Sequence, residues 1–62
     1  MVLSEAYNIL EIDDTIDNHL LKEQYRWFVR FYHPDNKQTG DTIHFQQIVS
    51  AYKKICEHRN II

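Results

Sequence analysis

The residues best suited to chemistry lie together near the middle of the chain, at His33, Pro34 and Asp35. An imidazole close to a carboxylate can form charge-assisted hydrogen bonds with an arginine or with backbone groups of a partner. The proline between them fixes one backbone angle, and a stiff loop loses less freedom on binding. The same residues could instead simply end a helix and cap a loop. The tripeptide alone therefore leaves both readings open.

Other chemistry finds little support in the residue pattern. The four histidines (His19, His33, His44 and His58) show no His-x-x-x-His or Cys-x-x-Cys spacing, so no metal site is expected. The single cysteine, Cys56, excludes an intrachain disulfide and fits a small apolar side chain on a helix. No glycine loop for phosphate and no pairing of a nucleophile with a base is visible. We therefore expect neither an enzyme nor a cofactor.

Three helical segments are predicted to position the tripeptide. The only proline and the only glycine, Pro34 and Gly40, mark one strong break in the chain. We expect helices at about residues 5–10, 18–32 and 42–57, with a loop at 33–41. Long helices joined by a short loop usually pack antiparallel. The expected fold is therefore all-α: a helical hairpin covered on one side by a short first helix.

Capping residues and apolar spacing support these helices. Ser4, Asp17 and Asp41 can each cap a helix start. Apolar side chains recur at helical spacing along both long segments. They are Leu21, Tyr25, Phe28 and Tyr32 in the second segment and Phe45, Ile48, Tyr52 and Ile55 in the third. We expect these faces to bury each other, with the Tyr25 ring in the core and its hydroxyl at the surface.

A basic stripe runs along the second helix. Lys22, Arg26 and Arg30 are spaced i, i+4 and i+8, so they lie on one side of it. Such a stripe suits docking on an acidic surface, where attraction mainly raises the association rate, although a solvated face looks the same. A small helical nucleic-acid-binding domain is a rival reading. The net charge of −2 argues against it, and we expect no nucleic-acid partner.

The segments around the tripeptide resemble the J domain of the DnaJ family. Four stretches carry the resemblance: Tyr7-Asn8-Ile9-Leu10-Glu11-Ile12, Leu21-x-x-x-Tyr25-Arg26-x-Phe28, Tyr32 directly before His33-Pro34-Asp35, and Phe45-x-x-Ile48-x-x-Ala51-Tyr52-x-x-Ile55. They are similar to the family's Tyr-x-x-Leu-x-Val, Ile-x-x-x-Tyr-Arg-x-Leu, His-Pro-Asp and Phe-x-x-Ile-x-x-Ala-Tyr-x-x-Leu patterns. The resemblance covers about residues 5–56.

The resemblance implies a co-chaperone module. J domains bind DnaK-type chaperones of the heat-shock protein 70 family and stimulate their ATP hydrolysis without a catalytic group of their own. They act by favouring one conformation of the partner. The implied partner-binding residues are His33, Pro34, Asp35, Lys22, Tyr25, Arg26, Arg30, Asn36 and Lys37. Without a signal peptide or an apolar run of membrane-spanning length, we expect an intracellular, cytoplasmic location and no membrane partner.

The chain also departs from the family. Asn36 stands where a basic residue is usual, a change expected to weaken docking. Trp27 and Phe31 replace charged residues and form a second apolar stripe with Leu20. Such a stripe suggests a further protein partner, a dimer, or another domain of a larger protein, unless the first helix or the tail at 61–62 covers it.

No fourth helix is recognisable after Cys56. We therefore read residues 1–62 as a single J domain, either a fragment of a larger protein or a reduced version of the fold. A J-like scaffold that keeps the fold without the stimulating activity is the remaining alternative.

Overall fold

The computed structural model describes residues 1–61, which fold into three helices. They are α1 (Leu3–Ile9), α2 (Asn18–Tyr32) and α3 (Thr42–Arg59), and residues 1–61 contain no strand. The all-α expectation is confirmed. The bounds of α2 agree with the sequence prediction, whereas α1 begins earlier than expected and α3 extends beyond residue 57. No helix in the described part of the chain is long and apolar enough to cross a membrane.

Two of the three predicted helix caps are present. The Asp17 carboxylate accepts a hydrogen bond from the Leu20 N–H at 2.9 Å, and Asp41 accepts one from the His44 N–H at 3.0 Å. The prediction for Ser4 is wrong, because α1 already begins at Leu3 and no side chain caps it. The earlier start places Leu3 against the core, and this burial decides the start of α1 more strongly than a serine cap.

Aromatic pairs fix the direction in which α2 and α3 pack. Tyr32 at the end of α2 stacks on His44 near the start of α3, with ring centroids 4.1 Å apart. Tyr25, two turns earlier, stacks on Tyr52 at 3.8 Å. Because the pairing runs backwards along α3 as it runs forwards along α2, the two helices are antiparallel. The expected hairpin is confirmed.

The core lies on α3, since both α1 and α2 pack against this helix. Its buried residues come from all three helices and from Leu10, which follows α1. They are Ala6, Tyr7, Leu10, Leu21, Phe28, Ile48, Ala51 and Ile55. The four aromatic members of the predicted faces that stay half-buried are Tyr25, Tyr32, Phe45 and Tyr52. These rings therefore close the edges of the core and remain accessible from outside.

Helices α1 and α3 end in the same type of C-terminal motif. Glu11 and Asn60 both adopt left-handed backbone conformations, with φ of 55° and 58°. The following residue donates its N–H back to the helix, Ile12 to the Tyr7 carbonyl at 3.1 Å and Ile61 to the Cys56 carbonyl at 2.9 Å. This is the pattern of a Schellman motif. It turns Ile12 and Ile61 back onto the core.

Candidate partner-binding site

The His-Pro-Asp tripeptide forms a tight turn directly after α2. The His33 carbonyl accepts a hydrogen bond from the Asn36 N–H at 2.9 Å, which closes a four-residue turn. Pro34 occupies its second position, where its fixed backbone angle is favoured. The Asp41 N–H donates to the Tyr32 carbonyl at 3.1 Å and joins the far end of the loop to α2. One hydrogen bond thus closes the turn that contains the tripeptide, and another closes the whole loop against the end of α2.

The two ionisable groups of the turn face solvent. The Asp35 backbone N–H donates to His33 Nδ1 at 3.1 Å, so Nδ1 is the acceptor and the proton of the neutral ring lies on Nε2. The side chains of His33 and Asp35 are 45% and 95% exposed. The His33 ring also meets the edge of Phe45, at 5.3 Å between centroids. The His33 ring is therefore partly open to a partner and the Asp35 carboxylate almost fully.

Asn36 holds the turn from within. Its Nδ2 donates to the carbonyls of Arg30 and Phe31 at 3.3 Å each. Its Oδ1 accepts from the N–H groups of Gln38 at 3.1 Å and Thr39 at 3.2 Å. The next residue, Lys37, is exposed. Of the two loop positions assigned to partner binding, one is engaged inside the loop and the other faces solvent.

Gly40 allows the loop to close tightly. A Cβ at this position would lie 2.5 Å from the Asn36 carbonyl oxygen and 2.6 Å from that of His33. Contacts this short do not occur for real side chains, so the loop requires glycine here. The Thr39 hydroxyl adds a further bond by donating to the Phe31 carbonyl. The backbone at Gly40 therefore packs directly against the backbone at His33 and Asn36, and this close contact stiffens the loop.

The basic stripe is exposed as predicted. Lys22, Arg26 and Arg30 all lie at the surface of α2. Arg26 approaches Glu23 at 3.8 Å, with both side chains more than half exposed. Exposed pairs of this kind contribute little to stability, so Arg26 can exchange Glu23 for a partner's carboxylate. The stripe borders a shallow depression of ≈ 360 Å³ lined by Tyr25, Arg26, Val29 and Arg30.

Tyr25 joins the stripe to the core, as the sequence predicts. Its ring lies face to face with Tyr52, with an interplanar angle of 6°. Burial raises the pKa of Tyr52 above its ordinary value of 10.0, and the neighbouring Cys56 adds to this shift. The Tyr25 ring borders the same depression as Arg26, so an aromatic ring and a cation lie side by side there.

The second apolar stripe, formed by Leu20, Trp27 and Phe31, stays open. Leu20 is 53% and Trp27 51% exposed, and Phe31 is half-buried. Trp27 and Phe31 stack on each other at 5.0 Å. Neither α1 nor Ile61 covers it, since α1 packs on α3 and Ile61 packs against the core. Ile62, the other residue of the expected tail, lies outside the described residues.

Arg59 forms a network that sequence reasoning missed. Its guanidinium donates to the Tyr7 hydroxyl at 2.9 Å, the Ile16 carbonyl at 2.7 Å, Asn18 Oδ1 at 2.9 Å and the Asp14 carbonyl at 3.1 Å. The end of α3 is thereby tied to α1, to the α1–α2 connection and to the start of α2. The only available signal was an arginine in the last turn of a helix, which is common.

Comparison with known proteins gives a consistent result. The family model described as DnaJ domain matches residues 5–60. The chain is 40% identical over 54 residues to Chaperone protein DnaJ of Nostoc punctiforme, covering 86% of this chain and 14% of that protein. It is also 40% identical over 54 residues to Chaperone protein DnaJ of Crocosphaera subtropica, again with 86% and 14% covered.

Chaperone protein DnaJ of Prochlorococcus marinus is 36% identical over 56 residues, with 89% of this chain and 15% of that protein covered. The chain thus spans about one seventh of the length of these relatives. No solved structure matches it. The family match covers nearly the whole chain and includes the His33 turn, both long helices and most of α1. This chain belongs to the DnaJ domain family.

Proposed function

We propose that this chain is a co-chaperone module that binds a DnaK-type chaperone and stimulates its ATP hydrolysis through His33, Pro34 and Asp35. One observation carries the proposal: the turn is fixed by backbone bonds, while the side chains of His33 and Asp35 are 45% and 95% exposed. The names of the relatives support a chaperone context.

The basic stripe provides the first contact in this proposal. Lys22, Arg26 and Arg30 lie on the face of α2 that leads towards the turn, and they are attracted to an acidic patch on the chaperone. Attraction between complementary surfaces speeds encounter and orients the partners. The chaperone patch then replaces Glu23 at Arg26. This contact sets the position of α2 and brings the turn onto the partner.

The turn then acts on the partner's conformation. Asp35 can accept from an arginine or from backbone N–H groups, and His33 Nε2 can donate to a carbonyl or carboxylate. If the chaperone binds these groups more tightly in its ATP-hydrolysing conformation, binding of the module shifts the chaperone towards that conformation. A coupling of about 1–3 kcal/mol corresponds to a roughly 5–150-fold effect. This module therefore supplies binding energy, and the hydrolytic groups belong to the chaperone.

A J-like scaffold without stimulating activity is the second candidate. It is favoured by Asn36, whose amide is committed to the loop where the family usually presents a cation. A nucleic-acid-binding domain is the third candidate and has less support. Three cations on α2 could contact phosphates, but a net charge of −2 opposes the approach of a polyanion.

Charge reversal tests the binding step. We expect Arg26→Glu to weaken binding to the ATP-bound chaperone about tenfold, mainly through slower association, with a matched control in Lys53→Glu on the exposed side of α3. Association should also slow as salt rises. Equal binding by the two variants would contradict docking through the basic stripe. Tight, strongly salt-dependent binding to duplex DNA by the wild type would favour the nucleic-acid alternative.

We also propose that the Leu20, Trp27 and Phe31 stripe contributes to a contact with another protein. These three side chains offer on the order of 300 Å², well below the roughly 800 Å² per partner of stable interfaces. The stripe alone is therefore too small for a stable dimer. We expect a monomer in sedimentation experiments at high concentration. A dimer that Trp27→Glu dissociates would establish self-association instead.

A further inference from the structure

Asn36 uses every polar atom that it has. Its backbone N–H donates to the His33 carbonyl at 2.9 Å, and its backbone carbonyl accepts from the Gly40 N–H at 2.8 Å. Its side chain bonds the last carbonyls of α2 on one side and the Gln38 and Thr39 N–H groups on the other. No group of this residue is left to meet a partner.

These bonds fix the turn relative to α2. The side-chain Nδ2 satisfies carbonyls that the end of a helix leaves without partners. The side-chain Oδ1 gathers the second half of the loop, and Gly40 fits directly against the Asn36 carbonyl at a distance that excludes a Cβ. The His33 ring and the Asp35 carboxylate are carried by this frame. Their direction relative to the basic stripe therefore depends on Asn36.

We propose that Asn36 is a positioning residue for the docking turn, and that in this chain a lysine in its place weakens docking. This reverses the expectation drawn from the family's usual basic residue, because the loop of this chain closes on the Asn36 side chain. The proposal rests on the proposed function and assigns Asn36 a role apart from direct contact. A lysine side chain carries donors only, so it cannot accept from Gln38 and Thr39. Their N–H groups would turn to water, and the loop would gain alternative conformations. Part of this freedom would have to be lost again on binding.

The kinetic signature differs from that of a residue that triggers hydrolysis. Because Asn36→Lys leaves His33 and Asp35 in place, a saturating concentration of the variant should still give the full stimulated rate. The half-saturating concentration should rise about fivefold, the effect expected when roughly one residue's backbone freedom is frozen on binding. Loss of a group that triggers hydrolysis, as proposed for His33 and Asp35, would instead lower the maximal rate. A contact residue such as Arg26 also raises the half-saturating concentration, so amide exchange is the readout that separates positioning from contact.

The experiment compares two variants of Asn36 with a control outside the loop. Asn36→Lys removes the acceptor, Asn36→Asp keeps an acceptor for the Gln38 and Thr39 N–H groups, and Lys53→Asn is the control on the exposed side of α3. Hydrogen exchange of the Gln38 and Thr39 amides is measured in the isolated domain. Chaperone ATP hydrolysis is measured over a range of domain concentrations. Far-UV circular dichroism verifies that the helices, whose core excludes the loop, are intact.

We expect about tenfold faster exchange of both amides in Asn36→Lys and the fivefold rise in half-saturating concentration. Asn36→Asp keeps the acceptor but sets a carboxylate against the Arg30 and Phe31 carbonyls, so only its effect on amide exchange should be smaller. Lys53→Asn should leave both amide exchange and the half-saturating concentration unchanged. Unchanged exchange in Asn36→Lys, or stimulation at lower concentrations than the wild type needs, overturns the positioning role. A folded wild-type domain that does not stimulate any chaperone overturns the proposed function, and the exchange measurement separates the two failures.

Discussion

The Arg59 network gives the most quantitative prediction for stability. Replacing Arg59 by methionine keeps an unbranched apolar stem and removes the guanidinium donors. The bonds to the Tyr7 hydroxyl and the Ile16 carbonyl are partly buried, whereas those to Asn18 and Asp14 are exposed. Water can replace the exposed bonds, so the two partly buried ones decide the result.

The expected loss is about 2–3 kcal/mol. Hydrogen bonds from a charged donor contribute about 1.5–3 kcal/mol each when buried, and partial exposure favours the lower end for both bonds. A chain of this length has a free energy of unfolding of roughly 3–9 kcal/mol, so Arg59→Met removes a large share of it. The melting temperature should fall by roughly 10–20 °C. Arg59→Lys should recover less than half, because one ammonium cannot reach acceptors on three segments.

Urea unfolding followed by circular dichroism measures the effect, with Lys53→Met as the control on the exposed side of α3. A double-mutant cycle with Tyr7→Phe isolates the bond to the Tyr7 hydroxyl and should give a coupling of about 1 kcal/mol. If Arg59→Met lies within about 0.5 kcal/mol of the Lys53→Met control, the reasoning is refuted. The network would then be a surface arrangement that water replaces without loss.

Three further predictions follow from backbone geometry and one pKa. Glu11 has a φ of 55°, so Glu11→Gly should raise the free energy of unfolding by about 0.5 kcal/mol in urea titrations; a loss would contradict strain there. Gly40→Ala should cost about 2 kcal/mol in the same assay, because the added Cβ meets the Asn36 carbonyl at 2.5 Å, and an unchanged midpoint would refute this close packing. The backbone N–H of Thr15, and then its hydroxyl, hold the pKa of Asp13 below 3.8. Since the folded pKa is lowered, this stabilisation is present above pH 3.8 and lost as pH falls through the folded value. An NMR titration should show an Asp13 pKa below 3.8, and Thr15→Val should bring this pKa part of the way back to 3.8. An Asp13 pKa that is not lowered in the wild type would contradict these two hydrogen bonds.

The helix bounds show where sequence reasoning succeeds. The start and end of α2 are set by local signals, the Asp17 cap and Pro34, so the sequence alone predicts both bounds. The start of α1 was missed because Ser4 is a plausible cap, whereas burial of Leu3 against the core decides the outcome. Local preferences of this kind are weak and are overridden by packing.

In the candidate site, too, some features follow from local sequence and others depend on the fold. The exposed turn and the basic stripe follow from neighbouring residues, so the sequence was sufficient to place them. The bonds of Asn36 depend on how the loop folds back on the end of α2, and a residue type alone does not reveal that. Arg59 bonds residues 41 to 52 positions earlier in the chain. Contacts of this range require the fold.

Single-turnover ATP hydrolysis by a DnaK-type chaperone tests the central claim most directly. The wild-type domain is compared with His33→Gln in the exposed turn and with His58→Gln near the far end of α3. We predict several-fold stimulation by the wild type and by His58→Gln, and its loss in His33→Gln with unchanged helix content. Absence of stimulation by the folded wild type across several such chaperones, or equal stimulation by His33→Gln, would contradict the account.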